Sequence, residues 1–275
     1  MVLPMIKTPL PRQILTLMLA LASPAAAVAQ TQANAVTGSI LPGWRMNNGH
    51  YMAALRLDLA PGWKTYWRAA GEAGIPPQFD WTGSVNMGSV AFHWPSPSII
   101  RVSGLQSIAY HDQLILPVEI TPVDINAPVT ASLHMQLGVC KDICLPAALD
   151  LTAPLGANGA PDPLIEAALA KGPISGDAAG LTKITCDLAP ISDGMRLQAN
   201  LTMPAFDAAE TVIFEVADPK VWVATATSER KGGALTATAD LVPPDGVPFA
   251  LDRTGVTVTV IGQGRSVEIK GCPAP

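Results

Sequence analysis

The chain has 275 residues, a formal net charge of -5 and only 14% charged residues. It has no run of basic residues that could contact phosphate backbones, which argues against a nucleic acid partner. Its length fits one large or two small domains, and four cysteines are too few for a scaffold built from disulfides.

The first 29 residues have the order of a secretory signal peptide. Lys7 and Arg12 precede an apolar run at 14–22, and small residues follow it. The run is about nine residues long, whereas a helix that spans a bilayer core needs about 20. We expect cleavage after Ala27 or Ala29, export of the mature chain and no membrane span in it.

Apolar and polar side chains alternate along most of the mature chain, with the period of two that is typical of half-buried strands. Clusters of glycine and proline separate the alternating runs. In the first half, the predicted strands are 50–59, 89–94, 114–120, 129–139 and 145–151. Short strands between turn signals indicate an antiparallel immunoglobulin-like β-sandwich, which we place at 30–156.

One segment breaks the alternation. Asp162 stands at the N-cap position, Pro163 at the first helical position and Gly172 just past the end, which predicts a short helix. We place a domain boundary here and treat 157–180 as a linker. Further alternating runs lie at 181–188, 195–203, 211–216, 221–227, 234–241, 255–261 and 265–270. They predict a second β-sandwich over 181–275, so the expected fold is all-β, with two tandem sandwiches joined by a short helix.

Two cysteines lie close together in the sequence GVCKDICLP, residues 138–146. By alternation, Cys140 falls on the more polar face of its strand. On the next strand, Cys144 falls on the same face as Asp150. If 141–143 is a three-residue hairpin loop, the two sulfurs emerge on one side of adjacent strands, close enough for a disulfide. We therefore expect both sulfurs to be accessible.

A disulfide across so short a loop restricts the unfolded chain little, so stability is a poor reason for it. Lys141 favours a nearby thiolate and Asp142 opposes it, so the local charges favour neither form of the cysteines. From spacing alone, thiol-disulfide exchange, a metal clip and a structural bond all stay open for the pair.

Cys186 and Cys272 bracket the second predicted sandwich. A disulfide between them would close a loop of about 87 residues and would stabilise the fold by roughly 4 to 5 kcal/mol in the chain-entropy model. Strand alternation does not decide whether the two cysteines are paired. By alternation, Cys186 falls on the same face as the apolar Leu188, whereas Cys272 falls on the same face as Lys270. Loop closure favours a structural disulfide.

Four motifs of the first half occur in the order seen in the N-terminal domain of the thiol:disulfide interchange protein DsbD family. They are GWKTYWR (62–68), GIPPQFDW (74–81), IAYHDQLILPV (108–118) and VCKDICLP (139–146). Over about residues 36–155 the chain resembles the ScsB-type members, which are linked to copper-sensitivity suppression. The resemblance implies an immunoglobulin-like fold, and the tandem arrangement of ScsB-type N-terminal regions agrees with the second predicted sandwich.

The resemblance also implies roles for individual residues. Cys140 and Cys144 match the family's redox pair, and Tyr66 and Tyr110 match aromatic positions near it. The loop that caps the pair in the family corresponds to 101–107, which lacks the family's acidic residues and the aromatic at its tip.

The implied function is thiol-disulfide exchange of the protein-disulfide reductase type. The pair would take electrons from a membrane-embedded thiol reductant, which we expect on a separate chain, and pass them to periplasmic thioredoxin-fold proteins. We expect no bound cofactor, and by analogy we expect Cys144 to bond to the partner. Two alternatives remain: a Cu(I)-binding protein of copper tolerance, because two soft thiolates of Cys140 and Cys144 suit that ion, and a non-catalytic β-sandwich adaptor with a structural disulfide.

Overall fold

The computed structural model describes residues 35–156 and 160–275, so the predicted signal peptide lies outside the described residues. The first half forms ten strands. They are β1 (Val36–Arg45), β2 (Tyr51–Leu59), β3 (Lys64–Gly71), β4 (Gln78–Asp80), β5 (Met87–Phe92), β6 (Ser98–Val102), β7 (Leu105–His111), β8 (Gln113–Pro122), β9 (Thr130–Cys140) and β10 (Cys144–Pro154).

These strands form two antiparallel sheets that face each other. One has the order β1-β2-β8-β5, and the other has the order β10-β9-β3-β7-β6, with β4 paired to β9. The apolar positions predicted by alternation point into the space between them, among them Leu55 and Leu57 on β2 and Leu133 and Met135 on β9. This burial of alternate residues is what holds the two sheets together.

A short helix, α1 (Pro163–Leu169), follows the first sandwich. The Asp162 side chain accepts hydrogen bonds from the first turn, at 2.8 Å from Leu164 N, as its N-cap position predicts. Ile165 is buried against Ala54 on the outer face of β2. The helix therefore belongs, by its packing, to the first sandwich.

The second half forms nine strands in two further sheets. They are β11 (Ile174–Ser175), β12 (Lys183–Ile191), β13 (Gly194–Thr202), β14 (Thr211–Glu215), β15 (Trp222–Val223), β16 (Thr227–Lys231), β17 (Ala234–Val242), β18 (Thr257–Ile261) and β19 (Ser266–Lys270). The sheet orders are β11-β19-β18-β14 and β12-β13-β17-β15, with β16 paired to β17. A core separate from the first fills the space between these sheets.

The prediction of an all-β chain of two tandem sandwiches with a short helix between them is confirmed. The predicted strands of the first half did not include β1, β3, β4, β6 and β7, and two details of the second half also differ. The run predicted at 221–227 contains only β15 and the first residue of β16, and β11 arises from the predicted linker and pairs in parallel with β19. The linker is thus divided by packing, since α1 lies on the first sandwich and β11 completes a sheet of the second.

The two sandwiches contact each other through apolar and polar side chains. Ile213 of β14 and Ile261 of β18 belong to the core cluster of the first sandwich. Arg68 on β3 donates to Glu215 on β14, with distances of 2.8 and 2.9 Å, and to Glu268 on β19 at 2.7 Å. The Ser96 and Ser266 hydroxyls are 2.8 Å apart across the same contact. A cleft of about 640 Å³ opens beside it.

Candidate redox site

Cys140 and Cys144 lie at the two ends of the turn between β9 and β10. The strands pair with Cys144 directly opposite Cys140, and their Cα atoms are 4.1 Å apart. The connecting loop is closed by a hydrogen bond from Lys141 N to Ile143 O of 3.2 Å. The two sulfurs are joined in a disulfide, in the hairpin geometry that the spacing predicts.

The two cysteines differ in exposure. Cys140 is only 1% exposed, whereas Cys144 is exposed to solvent. The prediction that both sulfurs are accessible is therefore wrong for Cys140. Its parity does place it on the outer face of the sheet, but other side chains cover that face at this end of β9. The covering cluster consists of Tyr66, Ala70 and Ala109, with Ile100 packed against it.

Tyr66 is the side chain in polar contact with the buried sulfur. It lies on β3, which pairs with β9 at Lys64 and Thr65, so its ring reaches Cys140 across the outer face of the sheet. The phenol donates to Cys140 Sγ at 2.7 Å, and the same oxygen lies 3.4 Å from Cys144 Sγ. Burial raises the pKa of Tyr66. The phenol therefore stays protonated at neutral pH and can donate to sulfur.

The segment after β3 lies over this cluster. A Cβ at Gly74 would be 2.7 Å from Tyr66 Cδ1, and a Cβ at Gly138 would be 2.7 Å from Ile75 Cβ. Both contacts are too close for any residue but glycine. Sequence reasoning gave this segment no role at the site, although its glycine opens one of the motifs. Its packing is what leaves Tyr66 almost without solvent contact.

Tyr110 does not line the pair. Its ring faces the core and stacks on Trp94, with the ring centroids 6.3 Å apart, and its O–H donates to Pro95 O at 2.7 Å. Neighbouring residues on a strand point to opposite faces. Tyr110 therefore lies on the other side of the sheet from Ala109, which packs in the cluster around Cys140. The site-lining role implied by the resemblance does not fit this placement.

The segment 101–107 forms the turn of the β6–β7 hairpin, with polar contacts outside the cysteine pair. Arg101 donates to Thr211 Oγ1 of the second sandwich at 2.9 Å, and Gln106 N donates to the Glu72 carboxylate at 3.4 Å. In this chain the tyrosine of β3 contacts the buried sulfur instead.

The rim of the site is formed by the exposed loop residues. Ile143 is 64% exposed beside Cys144, and Lys141 Nζ lies 3.5 Å from Pro61 O. Among residues 35–156 and 160–275, no group of three His, Cys, Asp or Glu side chains is placed to hold a metal ion. The Cu(I) hypothesis therefore depends on Cys140 and Cys144 alone.

Cys186 and Cys272 form the second disulfide, inside the core of the second sandwich. They are 0% and 1% exposed. Cys186 N also donates to Pro273 O at 2.7 Å, which ties the end of the described chain to β12. A bond with both sulfurs enclosed in apolar packing offers no surface for thiol exchange.

The chain therefore has a β-sandwich domain with a cysteine pair at the end of a hairpin, in which one cysteine is exposed and the sulfur of the other accepts a hydrogen bond from a tyrosine. Residues 26–155 match the family model described as "Thiol:disulfide interchange protein DsbD, N-terminal". This part of the chain is thus a DsbD-N-like domain, and it contains the pair Cys140 and Cys144.

Solved structures extend the likeness to the second sandwich. The N-terminal periplasmic domain of ScsB from Proteus mirabilis is 23% identical, with a TM-score of 0.63, covering 87% of this chain and 92% of that one. The chain therefore shares its tandem fold. InvD of Yersinia pseudotuberculosis is 14% identical, with a TM-score of 0.22 over 88% of this chain and 58% of that one, a superposition too poor to bear on the fold.

No curated protein matches the sequence of the chain. In the part of the chain that the structure describes, no helix is long and apolar enough to cross a bilayer.

Proposed function

We propose that the chain is a periplasmic thiol-disulfide exchange module that passes electrons through Cys140 and Cys144. The electrons come from a membrane-embedded thiol reductant and go to periplasmic thioredoxin-fold proteins. The observation that carries the proposal is the asymmetry of the pair, because an exposed Cys144 can meet a partner sulfur while a buried Cys140 can react only within the chain.

Electron delivery begins with the reduced pair. The Cys144 thiolate attacks one sulfur of the client disulfide, a mixed disulfide forms, and the other client sulfur leaves as a thiolate. The Cys140 thiolate then attacks Cys144 Sγ and displaces the second client sulfur. The pair is now oxidised and the client has gained two electrons, with two protons taken from solvent.

Re-reduction of the pair by the donor is the reverse type of exchange. A thiolate of the donor attacks the exposed Cys144 Sγ, and Cys140 leaves as a thiolate. The Tyr66 O–H, 2.7 Å from Cys140 Sγ, donates to that leaving sulfur and stabilises its charge. The second donor thiol then attacks the mixed disulfide and frees Cys144. Tyr66 is thus proposed to assist the step in which charge develops on the buried sulfur.

The reduction potential of the pair tests the proposal. The protein is equilibrated in glutathione buffers, and its free thiols are trapped and counted by mass spectrometry. We expect a value between those of thioredoxin and the disulfide isomerases, about -270 to -180 mV. A value below about -300 mV would make the bond structural and would favour the adaptor instead.

Single-cysteine variants test the assignment of the attacking sulfur. With 5,5′-dithiobis(2-nitrobenzoate) as the probe disulfide, Cys140→Ser leaves Cys144 exposed, whereas Cys144→Ser leaves Cys140 buried. We expect the Cys140→Ser protein to react at least about tenfold faster, because exchange requires an accessible thiolate. Equal rates would contradict the role assigned to Cys144.

A further inference from the structure

The backbone that follows Tyr66 is poorly held by the sheet. β3 pairs with β7 at residues 64–66 and again only at Gly71, with a register shift between. Its pairing with β9 ends at Thr65. Tyr66 is therefore the last residue before an irregular stretch, and the position of that stretch depends on side-chain contacts rather than on ladder hydrogen bonds.

Two neighbouring side chains hold this stretch in place. Trp67 is 2% exposed and packs in the core of the first sandwich. Arg68 is the next residue, two positions from Tyr66 in the chain. The Arg68 guanidinium lies 4.3 Å from the Trp67 ring centroid.

The partners of Arg68 belong to the second sandwich. Glu215 accepts from both Nε and Nη2, and Glu268 accepts from Nη2. The three side chains are only 26%, 24% and 21% exposed. A bidentate pair that is largely shielded from water is stronger and better oriented than an exposed ion pair. The second sandwich therefore fixes β3 two residues from the tyrosine that contacts the redox pair.

We propose that Arg68 is a positioning residue through which the second sandwich tunes the reactivity of Cys140. Clamped by Glu215 and Glu268, Arg68 holds the irregular part of β3 so that the Tyr66 phenol stays within hydrogen-bond distance of Cys140 Sγ. The inference rests on the exchange function proposed above and gives the second sandwich a part in it.

The direction of the effect on the reduction equilibrium follows from which sulfur species accepts the hydrogen bond of Tyr66. A thiolate accepts a hydrogen bond more strongly than a disulfide sulfur does, so the Tyr66 O–H stabilises the reduced pair more than the oxidised pair. When the clamp is removed, the phenol loses its fixed position and this preference weakens. The pair then becomes harder to reduce.

A double-mutant cycle tests the proposal in the full chain. The equilibrium constant for reduction by glutathione is measured for wild type, Tyr66→Phe, Arg68→Met and the double variant. We expect Tyr66→Phe to lower the constant about two- to tenfold, the range for loss of one hydrogen bond, and Arg68→Met to lower it by a part of that. A tenfold change corresponds to about 30 mV. In the Tyr66→Phe background, Arg68→Met should have no further effect.

Arg196→Met is the matched control. It removes another bidentate pair, with Asp240 on the second sandwich, and should leave the constant unchanged. If Arg68→Met does not fold, the double variant Glu215→Gln/Glu268→Gln keeps the arginine side chain and removes both charges that clamp it. This variant should give the same decrease.

Two results would overturn the proposal. The first is an Arg68→Met constant equal to that of wild type. The second is an equal decrease in the wild-type and Tyr66→Phe backgrounds, which would show that Arg68 does not act through the phenol. The cycle needs no protein partner. A wild-type potential below about -300 mV would therefore defeat the exchange function while the coupling between the two residues is still measured.

Discussion

Each sandwich holds one disulfide, and the two bonds lie in opposite environments. Cys140 and Cys144 are four positions apart at the end of a hairpin, with one residue exposed. Cys186 and Cys272 are 86 positions apart and are both buried in a core. The same covalent bond can therefore serve exchange in one sandwich and stability in the other, according to loop length and access.

The largest expected difference is in stability. In the chain-entropy model, the short loop contributes about 2 kcal/mol and the long loop about 4 to 5 kcal/mol. We expect Cys186→Ala/Cys272→Ala to lower the free energy of unfolding by about the larger amount, and Cys140→Ala/Cys144→Ala by about the smaller. Urea denaturation followed by circular dichroism measures both. Equal losses would remove the distinction between a structural and an exchanging bond.

The second largest expected difference is in how fast the two disulfides are reduced and their cysteines labelled. In native protein treated with dithiothreitol, we expect iodoacetamide to label Cys144 at least about 100-fold faster than Cys272, because the second core must open before its sulfurs can react. Mass spectrometry of peptides from timed samples gives the two rates. Rapid labelling of Cys272 would show that burial does not protect the second bond.

Substitution of the two tyrosines sharpens the comparison within the first sandwich. Tyr66→Phe removes the hydrogen bond to Cys140 Sγ, and Tyr110→Phe removes the one to Pro95 O on the other face of the sheet. We expect Tyr66→Phe to lower the equilibrium constant for reduction about two- to tenfold, and Tyr110→Phe to cost about 1 kcal/mol of stability without changing that constant. The glutathione equilibrium and urea denaturation report these effects. A changed constant in Tyr110→Phe would mean that the potential follows overall stability.

The smallest expected effect concerns pH and is confined to the first sandwich. Hydrogen bonding to His50, at 2.6 Å, and to His93 lowers the pKa of Glu119. A lowered pKa in the folded state gives stability that is present above the ordinary glutamate value of about 4.3 and is lost as the pH falls through the folded value. Glu119→Gln should therefore cost about 0.5 kcal/mol at pH 7 and less near pH 3.

Urea midpoints at the two pH values measure this difference. Asp150→Asn is the control, since that carboxylate is 85% exposed beside His134 and should change stability little at either pH. A cost of Glu119→Gln that grows on acidification would contradict the expected sign.

Strands that are buried on one face could be predicted from alternation, and strands buried on both faces could not. β9 alternates because its outer face is mostly solvated, as the burial of Leu133 and exposure of His134 show. β3 carries Tyr66, Trp67 and Arg68 in succession and has no alternation, because Gly74 packs against Tyr66 on one face while Trp67 lies in the core on the other. The strand that matters most to the site was therefore absent from the predicted elements.

Local patterns along the chain were sufficient to predict the two sandwiches, the capped helix and the opposition of Cys140 and Cys144, because these depend on periodicity, turn length and register. Tertiary structure decided which sulfur is exposed, which tyrosine contacts it and what holds that tyrosine in place. Those properties depend on segments far apart in the chain that pack around β3. Parity along one strand can assign a face, but it cannot show what lies over that face.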